Sequence, residues 1–407
     1  MGKPLSGVRV IDLSRATAGP YGTLLLADLG AEVIHIEPPE GDISRYVAGG
    51  PQYKGESFLY MSWHRNKKSV VLDLWTKSGR EALYDLVKTS DIVWHNFRPG
   101  AMERLGADYD TLKEINPKII YVSITGYGST GPSKDRPAFD VAILAHTGVL
   151  SLTGEPGGTP VRPGPPLADM GGSIFAAIGA LSAIFDRERT GKGRFIDVCL
   201  QDACISFLSD YFSLYFLSGV TPEPFEHSGH RFSVPYGVYK TKKSYIALGP
   251  CWPRIARAIG ADWLPDDPRF KEDSDRDKNR AELNRILEEH LAQAEAEDWL
   301  EIFKVEDIPA DLVKTIDQVA IDPQVLHRKM VLSLSHPLGG TVKLAGNPIK
   351  MEGLIEEDYT GPPTLDQHGH EILSELLGYT EEKIKKLKQE EKENTQERLK
   401  HVRKMQV

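Results

Sequence analysis

The chain has 407 residues, of which 40% are apolar and 26% are charged, and its formal net charge is −9. This length predicts two or more domains, and the acidic balance argues against a general nucleic-acid-binding protein without excluding a local basic pocket. The three cysteines, Cys199, Cys204 and Cys251, are too few and too irregularly spaced for a disulfide framework or a zinc site. We therefore predict a cytoplasmic protein with reduced thiols. Because no apolar run approaches the length of a bilayer span, we also predict no membrane contact.

Strands and helices alternate through the first half of the chain. The strands are predicted at 8–13, 32–36, 69–74, 91–94, 118–124 and 194–200. The helices are predicted at 21–29, 78–88, 101–105 and 140–152, and a further helix that begins at Asp169 contains the apolar run 174–185. This alternation is typical of an α/β fold with a doubly wound, parallel sheet. The glycines after the first strand do not form G-x-G-x-x-G, so a dinucleotide-binding fingerprint is absent.

The composition changes after a predicted apolar helix at 201–217. A linker rich in proline, glycine and histidine follows at 218–233. Beyond it we predict a hairpin at 234–248, then a run of further elements. They are helices at 252–259, 280–293 and 296–303, strand pieces within 331–351, and a helix at 368–377. The Lys- and Glu-rich tail from Glu381 is predicted to be a solvated helix with i,i+4 ion pairs.

Cationic side chains collect near the predicted strand and helix ends. They are Lys67, Lys68, Arg98 and Arg104. A single surface Lys or Arg is usually only solvated, but fixed cations at one sheet edge of an acidic protein indicate an anionic ligand such as a phosphate. The segment 15–19 follows the first strand, where open α/β sheets bind ligands, although an ordinary helix start explains it equally well.

Asp169 has a distinctive local setting. Pro165 and Pro166 precede it, and Gly171 and Gly172 follow it just before an apolar run. We predict that Asp169 is the N-cap of a helix, with its carboxylate kept ionised by unoccupied backbone N–H groups and the positive helix end. The two glycines would let another molecule approach the backbone. This setting suits a carboxylate nucleophile beside an oxyanion site, although the local sequence alone favours a purely structural cap.

Four histidines form two closely spaced pairs, His227 with His230 and His368 with His370. The pairs lie far apart in the sequence and lack an acidic or cysteine partner at metal-site spacing. We therefore predict no metal site.

Short motifs with a specific order and spacing run almost from end to end of the chain. They include Ala18-Gly19-Pro20, Asn66-Lys67-Lys68-Ser69, Asn96-Phe97-Arg98-Pro99-Gly100, Gly126-Tyr127-Gly128, Asp169 with its glycines, Thr190-Gly191-Lys192-Gly193, Gln201-Asp202-Ala203, Pro235-Tyr236-Gly237 and Leu376-Leu377-Gly378-Tyr379. No single motif is decisive. Together they resemble the family III CoA-transferases, the family that includes formyl-CoA transferase and carnitine CoA-transferase.

The resemblance implies a fold and an assembly. The fold is a Rossmann-like large domain, made from both ends of the chain, with a smaller α+β domain between them. We expect the first part of the large, CoA-binding domain at 1–220, the small domain with its linkers at 221–325, and the C-terminal return at 326–407. Subunits of the family are threaded through one another, so the resemblance also implies an interlocked homodimer.

The resemblance further implies the chemistry. Asp169 matches the family's catalytic aspartate, which passes CoA from an acyl-CoA to a small carboxylic acid through aspartyl anhydride and aspartyl-CoA intermediates. CoA and acyl-CoA are then substrates, and no permanently bound cofactor is implied. The positions that match CoA-contacting residues are Thr17, Ala18, Leu72, Asn96, Phe97, Arg98 and Arg104. This chain has Pro38 where family members often have a basic residue, which leaves one phosphate contact unaccounted for.

Two other functions compete with CoA transfer. α-Methylacyl-CoA racemase has a similar fold and transfers protons, which requires two titratable groups. Its histidine stands immediately before the aspartate matched here by Asp140, and this chain has Phe139 there, with His146 nearly two turns further on. We therefore favour CoA transfer over racemisation. A non-catalytic CoA-binding protein is disfavoured because Asp169 and its glycine pair are intact.

Overall fold

The computed structural model describes residues 2–47 and 49–405. The chain forms two compact units. The first comprises Met1–His146, Pro165–Phe207 and Gln324–Val407, and the second comprises Thr147–Gly164 and Leu208–Pro323. The segment Thr147–Gly164, assigned above to the large domain, thus belongs to the second unit. The domain boundaries that the resemblance implies stay a prediction.

The strands of both units are short. In chain order they are β1 (Arg9–Asp12), β2 (Glu32–Glu37), β3 (Gln52–Tyr53), β4 (Glu56–Ser57), β5 (Lys67–Val71), β6 (Ile92–His95), β7 (Ile120–Thr125), β8 (Phe195–Cys199), β9 (Gly237–Lys240), β10 (Tyr245–Leu248), β11 (Ala310–Leu312), β12 (Val331–Ser335) and β13 (Thr341–Ala345). The pairs β3–β4 and β12–β13 form small antiparallel hairpins in the first unit.

A parallel sheet forms the centre of the first unit, with the strand order β5-β2-β1-β6-β7-β8. The predicted α/β fold is therefore confirmed. The order is that of the dinucleotide-binding fold, in which ligands bind at the carboxyl ends of the strands where the order reverses. Here that point lies between β1 and β6, so the loops that follow these two strands face the expected ligand crevice.

Helices connect the strands and extend the C-terminus. In chain order they are α1 (Pro20–Asp28), α2 (Phe58–Trp63), α3 (Lys77–Lys88), α4 (Ala101–Arg104), α5 (Tyr109–Ile115), α6 (Asp140–His146), α7 (Leu167–Thr190), α8 (Leu200–Phe207), α9 (Ser209–Ser218), α10 (Arg254–Ala258), α11 (Asp273–Lys278), α12 (Arg280–Leu291), α13 (Ala296–Val305), α14 (Ile316–Ala320), α15 (Pro323–His327), α16 (Gly369–Glu371) and α17 (Glu381–Met405). A π-helical segment, Ile372–Leu376, continues α16.

The core of the first unit joins the sheet to the helices on its faces. Ile11 of β1 and Val93 of β6 are fully buried together with Leu86 of α3. Strands covered on both faces read as continuous apolar runs, which is why the sequence identified them. The C-terminal helix α17 adds Ile384 and Leu387 to the same core. The prediction of a solvated tail is therefore wrong for this face of α17.

Helix α7 is the long helix that carries Asp169. Ala176, Ala180 and Ala183 are buried, as their near-i+4 spacing indicates. Among residues 2–47 and 49–405, α7 alone is long and apolar enough to cross a membrane, with a mean hydropathy of 1.6 over an 18-residue window. This finding corrects the expectation that no apolar run approaches the length of a bilayer span. Glycine and alanine make up much of the run in α7, so it does not stand out in the sequence. One such helix is weak support for a span, since core helices of soluble proteins pass the same test.

The second unit has an antiparallel sheet in the order β11-β10-β9. The predicted hairpin at 234–248 is confirmed by the pairing of β9 with β10. Ile246 of this sheet is buried with Leu283 and Leu287 of α12 and Phe303 of α13. The unit therefore has a hydrophobic core of its own.

Two predicted helices are shorter in the structure. The helix predicted at 140–152 ends at His146, because Gly148 adopts a φ of 92°, which is outside the helical region. The helix predicted at 201–217 is interrupted at Leu208, whose backbone has a φ of −99° and a ψ of 18°. Both breaks lie where the chain passes from one unit to the other.

Candidate active site

Helix α7 begins at Leu167, so Asp169 is its third residue and Pro166 occupies the cap position. The prediction that Asp169 is the N-cap is therefore wrong. The cap comes from a different helix. The carboxylate Oδ1 of Asp140, the first residue of α6, accepts from the backbone N of Ala168 at 2.9 Å and of Asp169 at 3.4 Å. A proline at the cap position has no side-chain acceptor, so a distant carboxylate takes that role.

This capping changes the electrostatics predicted for Asp169. The first amides of α7 donate to Asp140 and are not the unoccupied oxyanion donors that the sequence suggested. The Asp169 side chain is half-buried and lies in the first turn of α7. The positive end of a helix favours a negative charge in its first turn, and the ionised state of Asp169 stays a prediction.

Gly171 and Gly172 have a packing role that the sequence did not reveal. A Cβ at Gly171 would lie 2.6 Å from Cε2 of Phe207, and a Cβ at Gly172 would lie 2.5 Å from Cδ2 of Leu200. Both glycines are buried. They let α7 approach α8 closely, rather than leaving its backbone open to a ligand as we predicted.

Asp169 lines a cavity of about 170 Å³, which we call the Asp169 cavity. Five of the seven predicted CoA-contacting residues line it as well: Thr17, Ala18, Asn96, Phe97 and Arg98. Three further residues of the lining are Lys134, Arg136 and Phe139. The structure thus brings the predicted nucleophile together with most of the predicted ligand contacts.

Hydrogen bonds hold the loops of this cavity in place. The side-chain amide of Asn96, after β6, accepts from the backbone N of Arg15 and donates to its carbonyl, both at 2.8 Å. The Ser173 hydroxyl of α7 donates to the carbonyl of Ala18, after β1. The switch point of the sheet and the first turns of α7 are therefore joined directly.

The remaining predicted contacts, Leu72 and Arg104, line a neighbouring cavity of about 470 Å³, which we call the distal cavity. Phe97 lines both cavities, and the Arg15 guanidinium lies 5.1 Å from the centre of its ring. Pro38 and Arg398 also line the distal cavity. The predicted contacts therefore fall on two cavities that share Phe97 in their linings.

Lys67 and Lys68 are structural rather than ligand-binding cations. The Lys67 ammonium is buried and donates to Asp12 at 3.1 Å and to Thr23 at 2.8 Å. Burial lowers the pKa of Lys67, and Asp12 opposes that shift. Burial raises the pKa of Asp12, but the charges of Lys67 and His35 outweigh it and hold that pKa far below its ordinary value. Lys68 pairs with Glu32 at 2.9 Å and with Glu371 at 2.7 Å.

The other candidate sites in the chain are a second cavity, a metal site and the cysteine thiols. A cavity of about 700 Å³ lies between β12 and residues 356–368 of the first unit, away from Asp169. Among residues 2–47 and 49–405, no group of three or more His, Cys, Asp or Glu side chains is arranged to hold a metal ion. The three cysteines are buried thiols, and burial raises the pKa of Cys199 and Cys251 to about 12.

A family model described as CoA-transferase family III matches residues 5–369. The chain belongs to CoA-transferase family III. As a member of this family it is an enzyme that transfers CoA. The match ends before α17.

Relatives of this CoA-transferase are similar over nearly its whole length. Succinyl-CoA:glutarate CoA-transferase of Homo sapiens is 34% identical over 391 residues, covering 95% of this chain and 89% of that protein. Acetyl-CoA:oxalate CoA-transferase of Acetobacter aceti is 37% identical over 381 residues, covering 92% of this chain and 96% of that protein. The crystal structure of a CAIB/BAIF family protein from Brucella suis matches with a TM-score of 0.83 at 34% identity, covering 92% of this chain and 100% of that one.

Racemisation is not favoured by these relatives or by the residues near Asp140. Phe139 lines the Asp169 cavity and has no titratable group. His146, the last residue of α6, packs edge-on against Tyr127 with ring centres 5.3 Å apart. Asp140 itself caps α7, so its carboxylate has a structural role that does not require a proton-transfer partner.

Several residues of this site were not predicted from the sequence. The capping role of Asp140 has no local signal, because Asp140 and Ala168 lie on different helices. Lys134 and Arg136 stand in a loop rich in glycine and serine after β7, and a basic pair in such a loop after a strand could have been noted. Arg398 lies in a tail whose composition indicated only a charged helix.

Proposed function

We propose that this family III CoA-transferase moves CoA from an acyl-CoA thioester to a carboxylic acid through covalent intermediates on Asp169. The observation that carries the proposal is a shared cavity. Asp169 lines it together with Thr17, Ala18, Phe97 and Arg98, which match CoA-contacting positions of the family. A carboxylate in this place can meet a thioester whose CoA part lies along the loops after β1 and β6.

The reaction consists of four acyl-transfer steps on one carboxylate. An Asp169 oxygen attacks the thioester carbonyl, so that an acyl-aspartyl anhydride forms and CoA leaves as a thiolate. The thiolate attacks the aspartyl carbonyl, which gives an aspartyl-CoA thioester and releases the donor acid. The acceptor carboxylate attacks this thioester, forming a second anhydride and the thiolate again. The thiolate then takes the acceptor acyl group, and Asp169 returns to a carboxylate with no net proton transfer.

Cations around Asp169 suit this sequence of anions. The thiolate, the two acids and the tetrahedral intermediates are all negatively charged, and preorganised positive groups stabilise such charges. Arg98, Lys134 and Arg136 line the cavity and supply them. The amides of Ala168 and Asp169 donate to Asp140, so the charge stabilisation at this helix start depends on side chains.

We further propose a small dicarboxylic acid as the substrate class, with succinyl-CoA as the first donor to test. The names of the relatives from Homo sapiens and Acetobacter aceti support this, since glutarate and oxalate are dicarboxylic acids. Lys134 and Arg136 give the cavity two cations besides Arg98, and an arginine can hold a carboxylate through paired hydrogen bonds. A panel of acids should include glutarate, oxalate and matched monocarboxylic acids.

The interlocked homodimer, in the cytoplasm, is part of the same proposal. Large apolar side chains are exposed in each unit, among them Phe185 (82% exposed) and Phe139 (76%) in the first and Leu217 (90%) in the second. Burial of such side chains against a second subunit would remove apolar surface from water, which supports the proposal of a dimer. Analytical ultracentrifugation should give twice the chain mass of 45.2 kDa. A stable monomer with full activity would contradict the dimer.

Trapping with hydroxylamine tests the covalent route. Incubation with succinyl-CoA and hydroxylamine should convert Asp169 to a hydroxamate, because hydroxylamine attacks both the anhydride and the aspartyl thioester. Peptide mass spectrometry locates the modification, and free CoA in place of succinyl-CoA is the control that should give none. Transfer that proceeds without any modification of Asp169 would remove it from this role. A racemase would instead exchange the α-hydrogen with solvent deuterium and escape trapping.

A further inference from the structure

The C-terminal helix α17 contributes to the distal cavity although it lies beyond residue 369, where the family match ends. Arg398 is the residue of α17 that lines this cavity. Arg398 thus brings a cation to this cavity from a helix beyond the family match.

Helix α17 is anchored where it approaches the cavity. Ile384 and Leu387 are buried in the core of the first unit. Closer to the cavity, Glu391 Oε1 accepts from the backbone N of Asp73 at 3.0 Å, and the Asn394 amide donates to Asp73 Oδ2 at 2.7 Å. The helix is thus held against the segment that follows β5, and Arg398 lies one turn beyond the last of these contacts.

Arg398 is held in position by two carboxylates. Its Nη2 donates to Asp73 Oδ2 at 3.2 Å and lies 3.2 Å from Glu40 Oε1. Its Nε is buried and has no hydrogen-bond partner among the residues that the structure describes. A third of the side chain is exposed. A guanidinium has five N–H donors, so these contacts orient the group and leave donors for a ligand.

The charged side chains that line the distal cavity with Arg398 favour the binding of an anion. Arg15 and Arg104 line the same cavity. Of the carboxylates there, Glu37 is buried against the Arg45 guanidinium at 2.7 Å, and Asp73 is 1% exposed and bonded to α17. Glu40 is the carboxylate that remains half-exposed at this position. Three arginines thus face one solvent-accessible carboxylate.

We propose that Arg398 binds a phosphate of the CoA nucleotide in the distal cavity. The proposal rests on the proposed function, in which the thioester end of CoA lies in the Asp169 cavity. Phe97 lines both cavities, so a CoA molecule whose thioester end lies in the Asp169 cavity can extend its nucleotide end into the distal one. Arginine suits this role because its planar fork matches phosphate geometry. The phosphate is either the 3′-monoester or the diphosphate of CoA.

Calorimetric titration of Arg398→Gln with CoA and with 3′-dephospho-CoA tests the proposal. CoA should bind about tenfold more weakly to the variant, the order expected for one charge-assisted hydrogen bond. Arg398→Lys should recover part of the affinity, because it keeps the charge without the fork. If the loss disappears with 3′-dephospho-CoA, Arg398 contacts the 3′-phosphate. If the loss persists with that ligand, Arg398 contacts the diphosphate.

Two control variants separate binding from the stability of α17. Lys392→Gln makes the same charge change at an exposed position of the same helix and should leave the CoA affinity within twofold of the parent protein. Asn394→Ala removes an anchor to Asp73 without any change in charge. Equal loss of affinity in Asn394→Ala and Arg398→Gln would overturn the proposal in favour of a structural effect. Unchanged affinity in Arg398→Gln would overturn it while leaving the proposed function intact, whereas a parent protein that binds no CoA would contradict the proposed function itself.

Discussion

The Asp169 cavity and the distal cavity differ in how they are built. The Asp169 cavity is lined by loops that follow β1, β6 and β7 and by the first turn of α7. The distal cavity adds segments that follow β2 and β5, together with Arg398 of α17. The first depends on the switch point of the sheet, which the strand order itself provides. The second depends on a helix beyond the family match. The proposed reacting end therefore lies at the switch point of the sheet, whereas the proposed nucleotide end includes a residue beyond the family match.

Each cavity is lined by a residue proposed to act directly on the substrate, and a second residue outside that lining holds neighbouring segments in place. For the Asp169 cavity these are Asp169 and Asp140. For the distal cavity they are Arg104 and Glu391 of α17. Substitutions at these four positions test whether the two cavities have separate tasks, since a change in one should leave the measured property of the other unaffected.

Asp169→Asn should have the largest effect, a loss of CoA transfer of at least about a thousandfold, because an amide cannot form the anhydride. CoA affinity, which we propose to depend on the distal cavity, should stay within a factor of about two of the parent value. Steady-state transfer and calorimetric titration measure the two properties. Glu188→Gln, which changes an exposed residue of α7, is the control. Substantial turnover in Asp169→Asn would remove the distinction between the cavities.

Arg104→Ala should affect the opposite property. We expect CoA to bind about tenfold more weakly, while turnover at saturating acyl-CoA stays close to that of the parent protein, because Arg104 lines the distal cavity only. The separate measurement of KM and kcat shows the effect. Lys113→Ala removes an exposed cation outside both cavities and should change neither. A fall in kcat with unchanged KM would place Arg104 at the reacting end instead.

The sequence could predict the reacting end better than the distal end for a physical reason. Strands such as β1 and β6 are buried on both faces, so they stand out as apolar runs, and the residues after them mark the ligand crevice. Asp169 is indicated by the prolines before it and the glycines after it, and Asn96 by the motifs of the family resemblance. The pairing of Arg398 with Glu40 and Asp73 joins segments from opposite ends of the chain, so no local pattern indicates it.

The same reasoning explains the errors near Asp169. The sequence shows that a helix must begin after Pro165 and Pro166, but it does not show which acceptor caps its amides. Asp140, from another helix, takes this role, so the nearer carboxylate of Asp169 is left to line the cavity. The sequence likewise suggests that the glycines after Asp169 let a ligand approach the backbone, whereas Phe207 and Leu200 pack against them in the structure.

Glu391→Gln should change the pH dependence of stability without changing transfer. Burial raises the pKa of Glu391 from 4.5 to about 7, although Lys388 and the backbone N of Asp73 lower it. A carboxyl whose pKa is raised on folding stabilises the folded state below about pH 4.5, and this contribution is lost as the pH rises through about 7. The variant should therefore match the parent protein near pH 4.5 and exceed its free energy of unfolding by on the order of 2 kcal/mol at pH 8.

Urea unfolding at pH 5 and pH 8 measures this difference. Glu393→Gln, at an exposed position of α17, should show no such dependence. Equal stability of Glu391→Gln and the parent protein at pH 8 would mean that the Glu391 carboxyl is not strained by burial, and that α17 is held beside the distal cavity at no cost from this group.

Asp140→Ala should have the smallest effect, and it bears on the choice between transfer and racemisation. Loss of the cap on α7 should lower the free energy of unfolding by about 1 kcal/mol and reduce turnover modestly, because the first turn carries Asp169. Asp140→Asn retains a side-chain oxygen that can accept from Ala168, so it should stay close to the parent protein in both properties. If Asp140 instead moved protons, the amide would be as damaging as alanine. The ratio between these two variants, measured by thermal unfolding and by transfer rate, therefore separates a capping carboxylate from an acid–base catalyst, and near-equality with the parent for Asp140→Asn leaves Asp169 as the reacting carboxylate.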